Sequence, residues 1–158
     1  MVARTCYARV FGERPSHVAR CLQVFIGDYI DRGPDSRQTI DLLIERGRRH
    51  EAIFLKGNHE AFLLEVFQDT ARLEAWKDYG GFQTLMSYGL APSLRPDREE
   101  QAELVQALQI AMPAEHRQFF RSLRKSFVCG DFFFAHAGAP KRPIRILQIS
   151  CVAIFGSF

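Results

Sequence analysis

Gly27-Asp28-Tyr29-Ile30-Asp31-Arg32-Gly33 stands directly behind the apolar run Leu22 to Ile26. A strand ends there and a polar turn begins. Apolar residues in a row suit a strand buried on both faces, as in a parallel sheet, and such sheets hold their ligands beyond the carboxyl ends of the strands. Asp28 and Asp31 sit where that rule puts chemistry. The flanking glycines free the backbone for tight turns, the carboxylates suit hard cations, and Arg32 offers a planar fork that matches phosphate oxygens. The same residues would also serve as a plain strand-to-helix turn with a surface ion pair. The surrounding chain decides between the two.

Working outward, Pro34-Asp35-Ser36-Arg37-Gln38 has the form of a helix start, with Asp35 or Ser36 as N-cap and Gln38 placed for a capping box. Ile40, Leu43 and Ile44 give this helix an apolar face, and Gly47 is expected to stop it. Glu51 to Leu55 reads as a second buried strand running into Lys56-Gly57-Asn58-His59-Glu60. Strand, helix and strand make a parallel pair joined by a crossover, which brings the two polar turns side by side. Helical segments are expected at Ala61 to Phe67, Thr70 to Tyr79 and Phe82 to Tyr88, broken at Gly80-Gly81 and ended at Gly89. Trp76 and the tyrosines of this region are read as core. Pro92 to Pro96 is a loop. Asp97 with Glu100 makes a capping box for a helix with Leu104, Val105 and Leu108 on its apolar face, and Pro113 restarts a helix carrying Phe119, Phe120 and Leu123. Ser126 to Cys129 and Asp131 to Ala135 read as strands around a Gly130-Asp131 turn, the second ending in His136-Ala137-Gly138. Upstream, only Tyr7 to Phe11 suggests a short strand.

At 158 residues the chain fits one domain, and 47% hydrophobic with 25% charged residues is ordinary for a soluble globular protein. The formal charge of +3 comes from scattered basic residues, so nucleic acid is not indicated, and acidic or phosphorylated partners fit equally well. Cys6, Cys21, Cys129 and Cys151 form no C-x-x-C pair, which reads as reduced thiols in a cytoplasmic protein. No apolar leader opens the sequence, and the tail Ile144 to Phe158 is too short and interrupted to span a bilayer.

Polar clusters thus stand at three strand ends: Asp28, Asp31 and Arg32; Asn58 and His59; and His136. Carboxylate, amide oxygen and neutral imidazole are usable ligands for ions of the Mn, Fe or Zn kind, whereas thiolates would be expected at a structural zinc site. A carboxylate bridging two ions is the heart of a two-metal hydrolase, and a histidine beside it can protonate a leaving oxygen, with a carboxylate behind to hold its tautomer. His17, His50 and His116 match no such cluster and read as surface or packing residues. Glu60 reads as a structural or helix N-terminal carboxylate.

Gly27-Asp28-Tyr29-Ile30-Asp31-Arg32-Gly33, Gly57-Asn58-His59-Glu60 and His136-Ala137-Gly138 resemble, in order, the second, third and fourth signature motifs of the metallophosphoesterases. The nearest branch is the bacterial serine/threonine protein phosphatases of the calcineurin-like, or phosphoprotein phosphatase, family. The resemblance covers about residues 20 to 140 and includes Ser87-Tyr88-Gly89. It implies an α/β fold, a β-sandwich flanked by helices. It also implies Asp28 as bridging metal ligand, Asn58 and His136 on the second metal, His59 as general acid, Asp31 as its partner and Arg32 on the phosphate.

The family's first motif, G-D-x-H-G, which supplies an Asp and a His to the first metal, is not in this chain. Gly12-Glu13 with His17 imitates it, but only 15 positions separate Glu13 from Asp28, too few for a helix and a return strand. Beyond Gly138 the family's phosphate-binding Arg and last metal-ligating His are also not matched, and residues 141–158 form an atypical tail. The expectation is therefore a single domain over residues 1–158, incomplete at both ends, with its first strand and C-terminal strands missing or altered and sheet edges exposed. Its implied function is a phosphomonoesterase with two divalent ions, acting on phosphorylated protein or a small phosphoester. The alternatives are a remnant that binds metal or phosphate without turnover, and a hydrolase of dinucleoside polyphosphates.

Overall fold

The computed structural model describes residues 21–93, 96–130, 132–137, 145–146 and 151–155. The strand expected at Tyr7 to Phe11, Glu13 and His17, Asp131, Gly138 and most of the tail lie outside the described residues.

Strand β1 (Cys21–Phe25) pairs in parallel with β2 (Ala52–Phe54), Val24 opposite Ile53 and Phe25 opposite Phe54. Both of its faces are covered, as an uninterrupted apolar run requires. Leu22, Val24 and Ile26 point one way into a cluster with Leu55 and Phe134. Phe25 points the other way into a larger cluster built from the helices, among them Ile40, Leu63, Trp76, Leu108 and Phe120. Gln23 shares that second side, where it is buried and accepts a hydrogen bond from Arg46 Nε at 2.7 Å.

Helix α1 (Ser36–Arg49) joins the two parallel strands. Two local expectations for it fail. Asp35 makes no side-chain cap bond, because its φ of −105° and ψ of 28° are not the extended geometry an N-cap needs. Gly47 does not stop the helix, which runs on to Arg49. A Cβ on Gly47 would stand 3.1 Å from Phe54 Cε2, so this glycine lets α1 lie close on β2.

After α2 (Asn58–Val66) come a 3-10 turn (Thr70–Arg72), the short α3 (Leu73–Trp76), a widened turn (Lys77–Gly81) and α4 (Phe82–Ser87). The break expected at Gly80-Gly81 is this turn, with Gly80 at φ 116°. Helix α5 (Arg98–Ala111) has the expected capping box: Asp97 accepts from the Glu99 and Glu100 N–H groups while Glu100 accepts from the Asp97 N–H. Helix α6 (Ala114–Ser122) places Phe119 and Phe120 in the core.

Strands β3 (Ser126–Cys129) and β4 (Phe132–Ala135) pair antiparallel as expected, and β5 (Arg145–Ile146) joins β4 in parallel. Strand β6 (Cys151–Phe155) runs antiparallel to β1 along Cys21–Phe25. The edge of β1 away from β2 is therefore paired, not bare. This is a mixed α/β arrangement with two small sheets, ordered β2-β1-β6 and β3-β4-β5.

Candidate functional site

The parallel register of β1 and β2 delivers both polar turns to one place. They meet backbone to backbone: a Cβ on Gly27 would come within 2.4 Å of the Gly57 nitrogen, and one on Gly57 within 2.2 Å of Asp28 Oδ1. The buried Glu60 carboxylate binds the turns together. It accepts from the N–H groups of Gly57 (2.8 Å), Asp28 (2.9 Å) and Tyr29 (2.6 Å). Burial pushes this carboxyl upward, with the charge of Asp28 adding to it, and the three N–H bonds pull against that.

Asp28, Asp31 and Arg32 all lie in the left-handed region, at φ 59°, 71° and 58°. Such strain in bulky residues persists only where the surroundings over-determine it, and it gathers at functional sites. It splays the turn. Asp28 and Arg32 face solvent, whereas Asp31 points inward with its side chain 0% exposed.

Asp31 Oδ2 accepts from His59 Nδ1 (2.7 Å) and from the Trp76 indole (3.0 Å), and Oδ1 accepts from the Thr84 hydroxyl (2.6 Å). Burial pushes the Asp31 carboxyl up, and the bonds from Thr84, His59 and Trp76 pull it back. Every side chain in that shell donates, so the shell suits the anion. His59 Nδ1 thereby carries the hydrogen, which leaves Nε2 as the nitrogen for a reacting oxygen.

At the mouth of the site, His136 Nδ1 stands 2.5 Å from the Ile26 carbonyl oxygen and so donates to it. Its Nε2 lies 2.9 Å from Asn58 Oδ1 and 3.3 Å from Asp28 Oδ2. The two oxygens only accept, so with a lone pair on Nε2 three acceptors converge, an arrangement that a cation among them would relieve. Asp28, Asn58 and His136 therefore fit a divalent ion of the kind that takes carboxylate, amide oxygen and imidazole. Among the described residues no group of three or more His, Cys, Asp or Glu side chains could hold an ion.

Tyr79 belongs to the site and not to the core where the sequence placed it. It is 43% exposed. Its ring stacks on His59 (centroids 4.8 Å apart), its hydroxyl accepts from Asn58 Nδ2 (3.1 Å), and the Arg32 guanidinium lies 5.5 Å from its ring centre. A groove of ≈ 250 Å³ leads away along Asn58, Ala61, Phe62, Glu65 and Tyr79. Trp76 is core, as expected, and also an Asp31 donor.

The structure thus brings together all six residues singled out from the sequence: Asp28, Asp31, Arg32, Asn58, His59 and His136. His116 lies apart, buried between the Tyr88 hydroxyl and Asp41 at 2.8 Å from each. Trp76, Tyr79 and Thr84 were not foreseen as site residues; the Gly80-Gly81 pair inside a helical pattern was their signal. No helix among the described residues is long and apolar enough to cross a membrane. The sequence model of calcineurin-like phosphoesterases matches residues 9–153. No curated protein matches the chain.

Proposed function

The chain belongs to the calcineurin-like phosphoesterase family, and from that premise we propose that it is a metal-dependent phosphomonoesterase acting on phosphoserine and phosphothreonine in proteins. Its partner is then a phosphorylated protein. The observation that carries this reading is the meeting of three acceptors, Asp28, Asn58 and His136, beside a buried His59–Asp31 pair and an exposed Arg32. Arg32 offers its fork to the phosphoryl oxygens. His59, held through Nδ1 by Asp31, hands a proton from Nε2 to the leaving oxygen. Asp28, Asn58 and His136 would hold the divalent metal, which when bound would supply hydroxide at neutral pH and offset phosphoryl charge.

One observation favours a second reading. His59 is only 3% exposed, beneath Tyr79, which suits a site that binds metal and phosphate without turnover. Hydrolysis of an aryl phosphate by the purified, folded chain with Mn²⁺ separates the two. The enzyme reading expects turnover that Asp28→Asn abolishes and that His59→Ala slows by about 10²–10⁴. A folded chain that binds Mn²⁺ and phosphate yet shows no turnover would leave the binding reading standing alone.

A further inference from the structure

We propose that Tyr79 is a positioning residue for both halves of this site, an inference that rests on the phosphoesterase reading above. Its hydroxyl turns the Asn58 amide so that the amide oxygen faces the metal position. Its ring holds the His59 imidazole and the Arg32 guanidinium in place.

The amide argument starts from Asn58 itself. Its side chain is exposed and can present either oxygen or nitrogen to His136. Only the oxygen can bind a cation. The Tyr79 hydroxyl takes the Nδ2 hydrogen at 3.1 Å, and Oδ1 then lies 2.9 Å from His136 Nε2. Without the hydroxyl, the flipped amide would turn its NH₂ toward His136 Nε2 and block the position. The ring argument is independent. Tyr79 lies nearly parallel to His59, 28° between planes, and its centre is within cation–π reach of Arg32.

Tyr79 is itself well held. It sits in the widened turn Lys77–Gly81, between Trp76, whose indole donates to Asp31, and Gly80, whose carbonyl accepts from the Arg32 N–H at 3.1 Å. Gly80, at φ 116°, breaks the helix within this turn, and Tyr79 stands immediately before the break. The ring also meets Phe62, with centroids 5.9 Å apart, and its other contacts are with three functional side chains.

Calorimetric titration with Mn²⁺ tests this on the folded full chain, with Asn58→Ala and Asp28→Asn alongside. Tyr79→Phe keeps the ring and loses the hydroxyl. It is expected to weaken Mn²⁺ binding about 3- to 10-fold, the equivalent of one hydrogen bond, while KM for an aryl phosphate at saturating Mn²⁺ stays put. Tyr79→Leu is expected to weaken Mn²⁺ to the same degree and also to raise KM severalfold, since Arg32 and His59 lose their support. Wild-type affinity in Tyr79→Phe, with Asn58→Ala weakened, overturns the role of Tyr79 and leaves the metal site standing. Wild-type affinity in Asn58→Ala and Asp28→Asn overturns the metal site, and the inference with it. A lowered melting temperature in both Tyr79 variants with unchanged Mn²⁺ affinity would make Tyr79 merely structural and also overturn the proposal.

Discussion

Replacing Glu60 by glutamine tests how the site is held together. The carboxylate is fully buried and meets donors only: Oε2 takes the Gly57 and Asp28 N–H groups, and Oε1 takes the Tyr29 N–H. Glutamine has nearly the same shape but one acceptor oxygen. In its best orientation the oxygen keeps the two Oε2 bonds, and the amide NH₂ faces the Tyr29 N–H, donor against donor. One charge-assisted bond is lost, about 1.5–3 kcal/mol, and the other two fall to neutral strength, while the amide escapes the cost of burying a charge, so Glu60→Gln should cost roughly 2–4 kcal/mol net. Glu60→Ala leaves all three N–H groups buried and unmatched, and relaxation around them limits the loss to about 4–5 kcal/mol. Urea unfolding followed by circular dichroism reads this directly. With a slope of about 2 kcal/mol/M, the midpoint of Glu60→Gln should fall by about 1–2 M. Burial pushes the Glu60 carboxyl upward, so a rival outcome exists. If glutamine leaves the midpoint within about 0.25 M of wild type, the native group is a neutral acid, and the tie argued here is wrong.

Two glycine substitutions separate sterics from conformation, and a third change tests a buried phenol. Gly57 has an ordinary φ of −87°, yet an added Cβ would lie 2.2 Å from Asp28 Oδ1. Gly57→Ala should therefore cost about 2–3 kcal/mol from overpacking and disrupt the site. Gly89 has φ +83° with nothing within 4 Å, so Gly89→Ala should cost only the left-handed penalty, about 1–2 kcal/mol, and leave Mn²⁺ binding intact. Equal losses of binding in the two variants would remove the steric argument. Tyr88 donates to the buried His116, and its pKa is raised chiefly by burial, then by the charge of Asp41, with Arg37 opposing. A group raised on folding stabilises fully below its unfolded pKa, about 10 for tyrosine, and that contribution is lost as pH climbs toward the folded value. Tyr88→Phe should thus be about 1–3 kcal/mol less stable than wild type at pH 8, and the gap should shrink as pH passes about 10. A gap that widens above that pH would reverse the sign.

Much of this was legible because it is written in short, local patterns. The run Leu22 to Ile26 lies on β1 and its end, with both faces covered, and the three polar clusters follow β1, β2 and β4, strands of the two sheets. What was not legible depends on contacts at long range. The capping box expected at Asp35 and Gln38 fails while the neighbouring Ser36 hydroxyl is engaged elsewhere, accepting from the Asp31 N–H. Gly47 looked like a stop because a helix pattern carries no record of the strand beneath it. Tyr79 looked like core because helical spacing cannot distinguish a ring facing Leu63 from one stacked on His59. Glycine offered the one local hint, since the Gly80-Gly81 pair marked where the helix had to open.

The strained turn shows why the later helices matter to the chemistry. Each left-handed residue has its N–H held by a group from farther along the chain. Asp28 is bonded to Glu60 Oε2, Asp31 to the hydroxyls of Thr84 (2.9 Å) and Ser36 (3.1 Å), and Arg32 to the Gly80 carbonyl (3.1 Å). A left-handed non-glycine residue costs about 1–2 kcal/mol. A neutral hydrogen bond returns about 1 kcal/mol net and one to a charged group about 1.5–3 kcal/mol. The Gly80 bond therefore roughly offsets the strain at Arg32, and the paired hydroxyls do so at Asp31. Glu60 alone exceeds it at Asp28, because its single carboxylate also binds Gly57 and Tyr29. The motif Gly27–Gly33 cannot hold its own shape: Ser36, Glu60, Gly80 and Thr84 hold it. Loss of Glu60 should release Asp28 first, and with it the carboxylate that faces His136.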